Sequence, residues 1–221
     1  MKVWTIGVAG GNGSRFGGQK QFEKLCGKPL VEWATSVSRQ VSEGVILVVP
    51  QDCDKNDYLY VDAVTVGGNT RSQSVRQGLS KVPDSADIVI IHDCARPLAS
   101  KDLFERVISA VEGGADGAIP GVAVSDTLKR SISNNQGFIE VHSTLEREGV
   151  YAVQTPQAFR LIKLKQAHES LSDASDDAHL VENIGGKVVI VQGDPRNIKV
   201  TIPSDFALCE TLLGGKINDI R

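Results

Sequence analysis

Short apolar runs that alternate with amphipathic stretches constrain this chain more than any other feature. KVWTIGVA, GVILVVP, AVTVGG, DIVIIHD, GAIPGVAV and KVVIVQG are rich in Val and Ile and bounded by Gly, Pro or Asp. Their length and β-branched content predict strands buried on both faces. Between them, SKDLFERVISAVEGG sets Leu103, Val107, Ile108 and Val111 on one helical face, with Ser100 suited to cap the start and Gly113 the end. PLVEWATSVSRQV predicts a helix with Pro29 in its first turn, and SDFALCETLLGG a closing helix capped by Ser204. Strand and helix in alternation predict an α/β fold, a mostly parallel twisted sheet with helices on both faces. Ligands of such sheets bind beyond the carboxyl ends of the strands. A chain of 221 residues suffices for one such domain, spanning 1–221.

One segment breaks the alternation. DTLKRSISNNQGFIEVHSTLERE, residues 126–148, alternates around the turn signal NNQG and predicts a β-hairpin arm inserted in the domain. An isolated hairpin is marginally stable in water. The arm is therefore expected to pack on something, and a second copy of the chain is the simplest candidate.

Charge and cysteine usage narrow the partners. With 24 Lys+Arg against 27 Asp+Glu the net charge is -3, which argues against nonspecific nucleic-acid binding. The first apolar run is too short to span a bilayer and leads straight into glycines, so it reads as a strand rather than a signal peptide. Cys26, Cys53, Cys94 and Cys209 are scattered and predict free thiols in a reducing compartment. A cytoplasmic protein without membrane or nucleic-acid partners is expected.

The chemistry starts at VAGGNGSRFGGQKQF, which follows the first strand and holds Gly10, Gly11, Gly13, Gly17 and Gly18 around Arg15, with Lys20 close behind. A dinucleotide fingerprint fails because Phe16 stands where the third glycine belongs. A Walker loop fails because no glycine here is followed by Lys and then Ser or Thr. Glycines let backbone N–H groups converge on an anion, and Arg15 and Lys20 can neutralise a polyphosphate. A surface loop with solvated charges is the alternative. GGNTRSQSV brings Arg71, Ser72 and Ser74 to a strand end, which ordinary helix capping also explains. In VIIHDCARP a buried run stops at His92, Asp93 and Arg96. Asp93 there either helps hold a hard cation or pairs internally with Arg96. Thr155 precedes Pro156, which favours an extended or turn backbone, and Lys199 in NIKVTIPSD reads as a solvated residue on a short strand. The histidines are dispersed and form no Ser/His/Asp grouping.

AGGNGSRFGGQKQF, GGNTRSQSV, HDCARP, DTLKR, QTPQAF and NIKVTIPSD occur in that order over nearly the whole chain. Together they resemble the 2-C-methyl-D-erythritol 4-phosphate cytidylyltransferase family of the non-mevalonate isoprenoid pathway. The resemblance implies a nucleotidyltransferase-type, Rossmann-like fold and a homodimer paired through the arm. It also implies transfer of CMP from CTP to a polyol phosphate, with release of pyrophosphate and with Mg2+ as cofactor. By position, Arg15 and Lys20 match loop residues that stabilise the transition state. Lys199 matches the lysine that orients the attacking phosphate, and Thr127 and Arg147 match arm residues that reach the neighbouring subunit's substrate. Ala9, Gly10, Gly11, Gly13, Gly68, Asn69, Ser74 and Asp93 fall where the family holds CTP, with Asp93 near the metal. Arg96 and Thr155 fall with the substrate group. The chain departs from the family at Gln19, Asn69, Cys94 and Arg196. A ribitol-5-phosphate or other sugar-phosphate cytidylyltransferase shares the loop and QTPQ, whereas DTLKR and LEREGVYAVQTP stand closer to the methylerythritol group. A non-catalytic nucleotide-binding regulator is the reading from another class, against which the retention of Arg15, Lys20, Asp93 and Lys199 argues.

Overall fold

The structure is a computed structural model that describes residues 1–11, 13, 15–53, 58–133 and 139–218. Its centre is the strand Ile88–Asp93, buried at every position, which pairs in parallel with the first strand, β1, Val3–Val8. On the far side of β1 lie β4 (Gly44–Val49) and then β5 (Ala63–Val66), both parallel to it. The short pairs β2 (Lys24–Leu25) and β3 (Lys28–Pro29) form a ribbon of their own beside helix α1 (Leu30–Arg39). Calling Ile88–Asp93 β6, the sheet continues on the other side through the antiparallel β11 (Gln157–Arg160) to β7 (Gly117–Ala123). The parallel strand β12 (Val188–Gln192) closes that side, while β10 (Tyr151–Val153) runs antiparallel along the same edge of β7 as β11.

The period-2 alternation of the strands divides two cores. Ile88 and Ile90 of β6 pack with Val37 of α1 and with Phe104, Val107 and Val111 of α3, Lys101–Glu112. Val89 and Ile91 point to the other face, against α2 (Arg71–Leu79), α4 (Leu161–His168) and α5 (Asp177–Asn183). The same parity sends Asp93 to the α2 and α5 face and His92 to the α3 face, where its ring meets Phe104 edge-on at 5.0 Å. The mostly parallel sheet covered on both faces is thus the expected α/β fold, and all the apolar runs named above are strands.

Local details differ from expectation. Ser100 caps α3 as expected, its side chain accepting from the Leu103 N–H at 3.3 Å, and Gly113 ends it. Pro29 sits one residue before α1 rather than in its first turn. Ser204 lies inside the last helix, α6 (Pro203–Asn218), so it is not the cap. The Asp205 carboxylate instead turns back to accept the N–H groups of Thr201 and Ile202 at 2.7 and 3.0 Å. Residues 197–200 form no strand: Val200 donates to the Ala95 carbonyl, and the segment then runs on toward α6. The arm is the antiparallel pair β8 (Lys129–Ser133) and β9 (Ile139–Thr144), with a register shift between Arg130 and Ser131. Its expected turn, NNQG, lies outside the described residues.

Phe104 is fully buried against His92, so truncating its ring would leave a cavity in the core. Phe104→Ala is expected to cost about 3–5 kcal/mol of stability, read as a lowered denaturant midpoint with an unchanged slope.

Candidate active site

The carboxyl ends of β1, β5 and β6 open into one cleft of about 560 Å³. The order of the sheet explains its position. From β1 the chain crosses to β4 on one side, and β6 flanks β1 on the other, so the loops leaving β1 and β6 part and leave a crevice between them. Ala9, Gly10, Gly11, Gly13, Arg15 and Lys20 line it from the first loop, Gly68, Asn69, Arg71 and Ser74 from the second, and Asp93 and Lys199 from the floor.

The first loop is wound tightly around Gly13. The Gly13 carbonyl accepts N–H groups from Phe16, Gly17 and Gly18 at 2.9, 3.0 and 3.3 Å. Gly13 has φ +62, and a Cβ there would lie 1.7 Å from the Gly18 carbonyl oxygen, so no other residue fits. Gln21, buried, donates to the Gly11 carbonyl at 3.2 Å and holds the start of the loop. The second loop is fixed by the start of α2. Thr70 caps the helix by accepting from Gln73 N–H, Ser74 accepts from Gly68 N–H at 3.2 Å, and Gln73 accepts from Asn69 N–H at 2.8 Å.

Asp93 is the electrostatic centre. Lys199 Nζ lies 2.5 Å from its Oδ2, and Arg71 Nε lies 3.6 Å from its Oδ1. Burial alone pushes this carboxyl up, but Lys199 and then Arg71 outweigh it and hold Asp93 well below the ordinary carboxylate range. The internal pairing with Arg96 is not what forms. The Arg96 guanidinium donates to the Asn197 carbonyl at 2.7 Å instead. The solvated-edge reading of Lys199 also fails, because the lysine stands outside any strand and its ammonium pairs with Asp93. Lys20 faces the same space. Its pKa is lowered by burial and then by the like charges of Lys199 and Arg15, with Asp93 and Asp205 only partly compensating. Cations drawn from two distant parts of the chain therefore repel one another across a concave site, the condition that favours a bound polyanion.

A second set of residues, not legible in the sequence, braces this centre. Arg71 Nη1 is 2.7 Å from Oδ2 of Asp177, which is fully buried, and His168 Nε2 is 2.9 Å from the other Asp177 oxygen. Burial raises the Asp177 carboxyl, yet the His168 hydrogen bond and the Arg71 charge bring it below the usual value. Thr70 donates to Asp173 at 2.6 Å and Ser72 accepts from Ala174 N–H at 3.2 Å, so the strap before α5 is stapled to α2. Gln154 donates to the Asp194 carbonyl at 2.8 Å and accepts from the Asp194 N–H at 3.1 Å, while Asn197 donates to the Thr155 carbonyl at 2.9 Å. These bonds fix the segment that delivers Lys199.

Thr155 is buried and accepts from the Asp93 N–H at 3.0 Å, with His92 Nδ1 3.2 Å from the same hydroxyl. Burial lowers the His92 pKa to about 4, so the ring is neutral near neutral pH. Among the described residues, those lining the cleft do not include Arg96, Thr127, Arg147 or Thr155. Thr127 and Arg147 are exposed at the base of the arm, where the Arg147 guanidinium donates to the Ser125 carbonyl. Cys94, fully buried, packs behind the loop with its sulfur 3.1 Å from where a Gly7 Cβ would be. As for a metal, no group of three or more His, Cys, Asp or Glu gathers among the described residues, so there is no all-protein cage. A single ionised Asp93 at the cleft floor does suit a hard cation that completes its shell with water and phosphate oxygens.

A profile of 2-C-methyl-D-erythritol 4-phosphate cytidylyltransferase matches residues 3–215. The chain belongs to this family. It is 39% identical to the 2-C-methyl-D-erythritol 4-phosphate cytidylyltransferase of Geobacillus kaustophilus, over 98% of this chain and 99% of that one. It is 41% identical to a bifunctional enzyme IspD/IspF of Granulibacter bethesdensis, of which it spans 56%. Among solved structures, the cytidylyltransferase of Thermus thermophilus superposes with a TM-score of 0.82 at 32% identity, over 96% of this chain and 98% of that one. The mixed sheet with helices on both faces is thus the fold of the cytidylyltransferase family.

Because Asp177 is held below the ordinary carboxylate value of 3.8, the unfolded chain takes up a proton that the folded chain refuses as the pH falls. The stability Asp177 contributes is present above pH 3.8 and lost as the pH drops below it. Asp177→Asn is expected to be less stable at neutral pH by about 3–5 kcal/mol, with a shallower acid limb. Denaturant midpoints across the acid range check both.

Proposed function

We infer that the chain is a cytidylyltransferase that joins CTP to 2-C-methyl-D-erythritol 4-phosphate, giving the CDP-linked product and pyrophosphate for isoprenoid precursor synthesis. The observation that carries this is Asp93 with Lys199, Lys20 and Arg15 gathered at the mouth of the sheet, in a chain that matches this family from residue 3 to 215.

The nucleophile is a phosphate oxygen of the substrate. With a second pKa near about 6 it is largely ionised at neutral pH, so no general base is required. That agrees with the state of His92, which is buried and neutral behind the site. The obstacle is the approach of an anion to the α-phosphorus of a triphosphate. The N–H groups of the glycine loop receive phosphate oxygens, and Arg15 and Lys20 stabilise the charge that builds on the transferring group. Lys199 leaves Asp93 to orient the attacking phosphate, while Arg71, pinned by Asp177, keeps Asp93 compensated. Gly68, Asn69 and Ser74 face the nucleoside end of the cleft. Mg2+ held by Asp93 would neutralise phosphate charge and order the phosphate oxygens. Arg96 and Thr155 act beneath the substrate by fixing the Lys199 segment and Asp93.

The arm supports a homodimer. Ile132, Ile139 and Val141 are 51%, 75% and 64% exposed on it, an apolar surface that water disfavours and a second subunit can cover. Thr127 and Arg147 would then reach the neighbour's substrate. A cytoplasmic site of action is supported by the free thiols of Cys26, Cys53, Cys94 and Cys209, which a reducing compartment preserves. Among the described residues, no helix is long and apolar enough to cross a membrane.

Lys20→Ala is expected to lower kcat by about 10²–10³, roughly 3–4 kcal/mol, with unchanged circular dichroism; undiminished pyrophosphate release would remove Lys20 from the mechanism. Arg147→Ala is expected to raise KM for the polyol phosphate and leave KM for CTP in place. Mixed Lys20→Ala and Arg147→Ala chains should regain activity through hybrid dimers. No recovery, with subunit exchange shown by native mass spectrometry, would exclude a shared site.

A further inference from the structure

The last helix touches both halves of the cationic site. Phe16 follows Arg15 directly in the glycine loop, and its ring lies 6.0 Å from the ring of Phe206 on α6. Both belong to an apolar cluster with Leu25, Leu30 and Val200 that lies apart from the two cores of the sheet. The neighbouring Asp205 accepts the N–H groups of Thr201 and Ile202, which ends the segment carrying Lys199. Adjacent side chains of one helical turn thus hold the arginine–lysine loop from the start of the chain and the lysine segment from its end.

Among the described residues, few contacts hold the tip of the loop. Gly17 and Gly18 follow Phe16, and among the described residues no side chain lies within 4 Å of a Cβ at either. The internal bonds to the Gly13 carbonyl shape the turn but do not fix it to the body. Between Arg15 and Lys20, Gln19 accepts from the Cys53 thiol at 3.2 Å, and Phe16 supplies the apolar anchor. Like charges of Arg15, Lys20 and Lys199 push these pieces apart, so an apolar anchor is needed to keep them together before an anion arrives.

We propose that Phe206 is a positioning residue for the reaction, clamping Phe16 so that Arg15 and Lys20 stand opposite Lys199. The proposal rests on the phosphate-handling reading of Arg15 and Lys20, which the Lys20→Ala variant tests separately.

The test uses the full chain with Phe206→Ala, Phe206→Leu, Phe16→Ala and the Phe16→Ala/Phe206→Ala double. Phe206→Ala is expected to lower kcat about tenfold, short of the order of 10²-fold that a misplacement of about 1 Å can cost. KM for CTP should move much less, and Phe206→Leu should recover part of the turnover. The double variant should be no more than about twofold worse than the poorer single, because the two rings act through one contact. Limited trypsin digestion should cut after Arg15 and Lys20 faster in ligand-free Phe206→Ala than in the parent, with cutting after Lys101 and Lys163 unchanged. Uniformly faster cutting would reveal global loosening and overturn the proposal. So would a kcat within twofold of the parent, or additive losses in the double. If Phe206→Ala does not fold, Phe206→Leu carries the same comparison. An inert Phe206→Ala beside an inactive Lys20→Ala would sink the clamp alone; an inert Lys20→Ala would sink the loop reading on which it rests.

Discussion

The site depends on one buried carboxylate that is never left without a cation. Asp93 ends a strand that is buried at every position, where an unpaired charge would be costly. It has two partners of different kinds. Lys199 is close, at 2.5 Å, but its side chain is 43% exposed, with solvent or a ligand in the cleft within its reach. Arg71 is farther, at 3.6 Å, but Asp177 holds it from behind. The arrangement lets one partner leave while the other stays. On the proposed mechanism Lys199 serves a phosphate in one state and Asp93 in another, and Arg71 is the substitute that Asp93 then needs.

The remaining architecture keeps these charges in register. Gly13 makes a turn that only glycine permits, and Gln21 and Phe16 tie that turn to the body. Gln154, Asn197 and Arg96 fix the approach to Lys199 through backbone atoms rather than through the lysine itself. The His168–Asp177–Arg71 chain brings α4, α5 and α2 together behind the site. None of these groups need touch the reacting atoms. Their role is to oppose the repulsion that collecting Arg15, Lys20 and Lys199 in one place entails.

Much of this was readable from residue order. The Val/Ile runs, the caps at Ser100 and Gly113 and the place of Asp93 at a strand mouth follow from hydrophobic period and local hydrogen bonding. What escaped has physical reasons. β10 and β11 are three- and four-residue pieces split around Thr155 and Pro156, too short to show a period. Lys199 reads as a strand residue because extended backbone with β-branched neighbours looks alike whether or not it pairs. Asp177 and His168 lie 106 and 75 positions from Arg71 and Asp93 respectively, and an aspartate in the first turn of a helix reads as an ordinary partner of the helix dipole. Ser204 is no cap because α6 already begins at Pro203, and the Asp205 carboxylate inside that first turn reaches back to the N–H groups of Thr201 and Ile202. The arm was legible as an antiparallel pair, since its alternation needs no tertiary information.

On the proposed mechanism, cationic groups remote in sequence meet around a triphosphate. A crystal structure of the chain with a non-hydrolysable CTP analogue and Mg2+ tests it most directly. The expected structure has the Lys20 ammonium and Arg15 guanidinium within hydrogen-bond distance of phosphate oxygens, and Lys199 drawn off Asp93 toward the α-phosphate while Arg71 stays on Asp177. An analogue bound with Lys199 still locked on Asp93 and with Arg15 and Lys20 turned to solvent would contradict it.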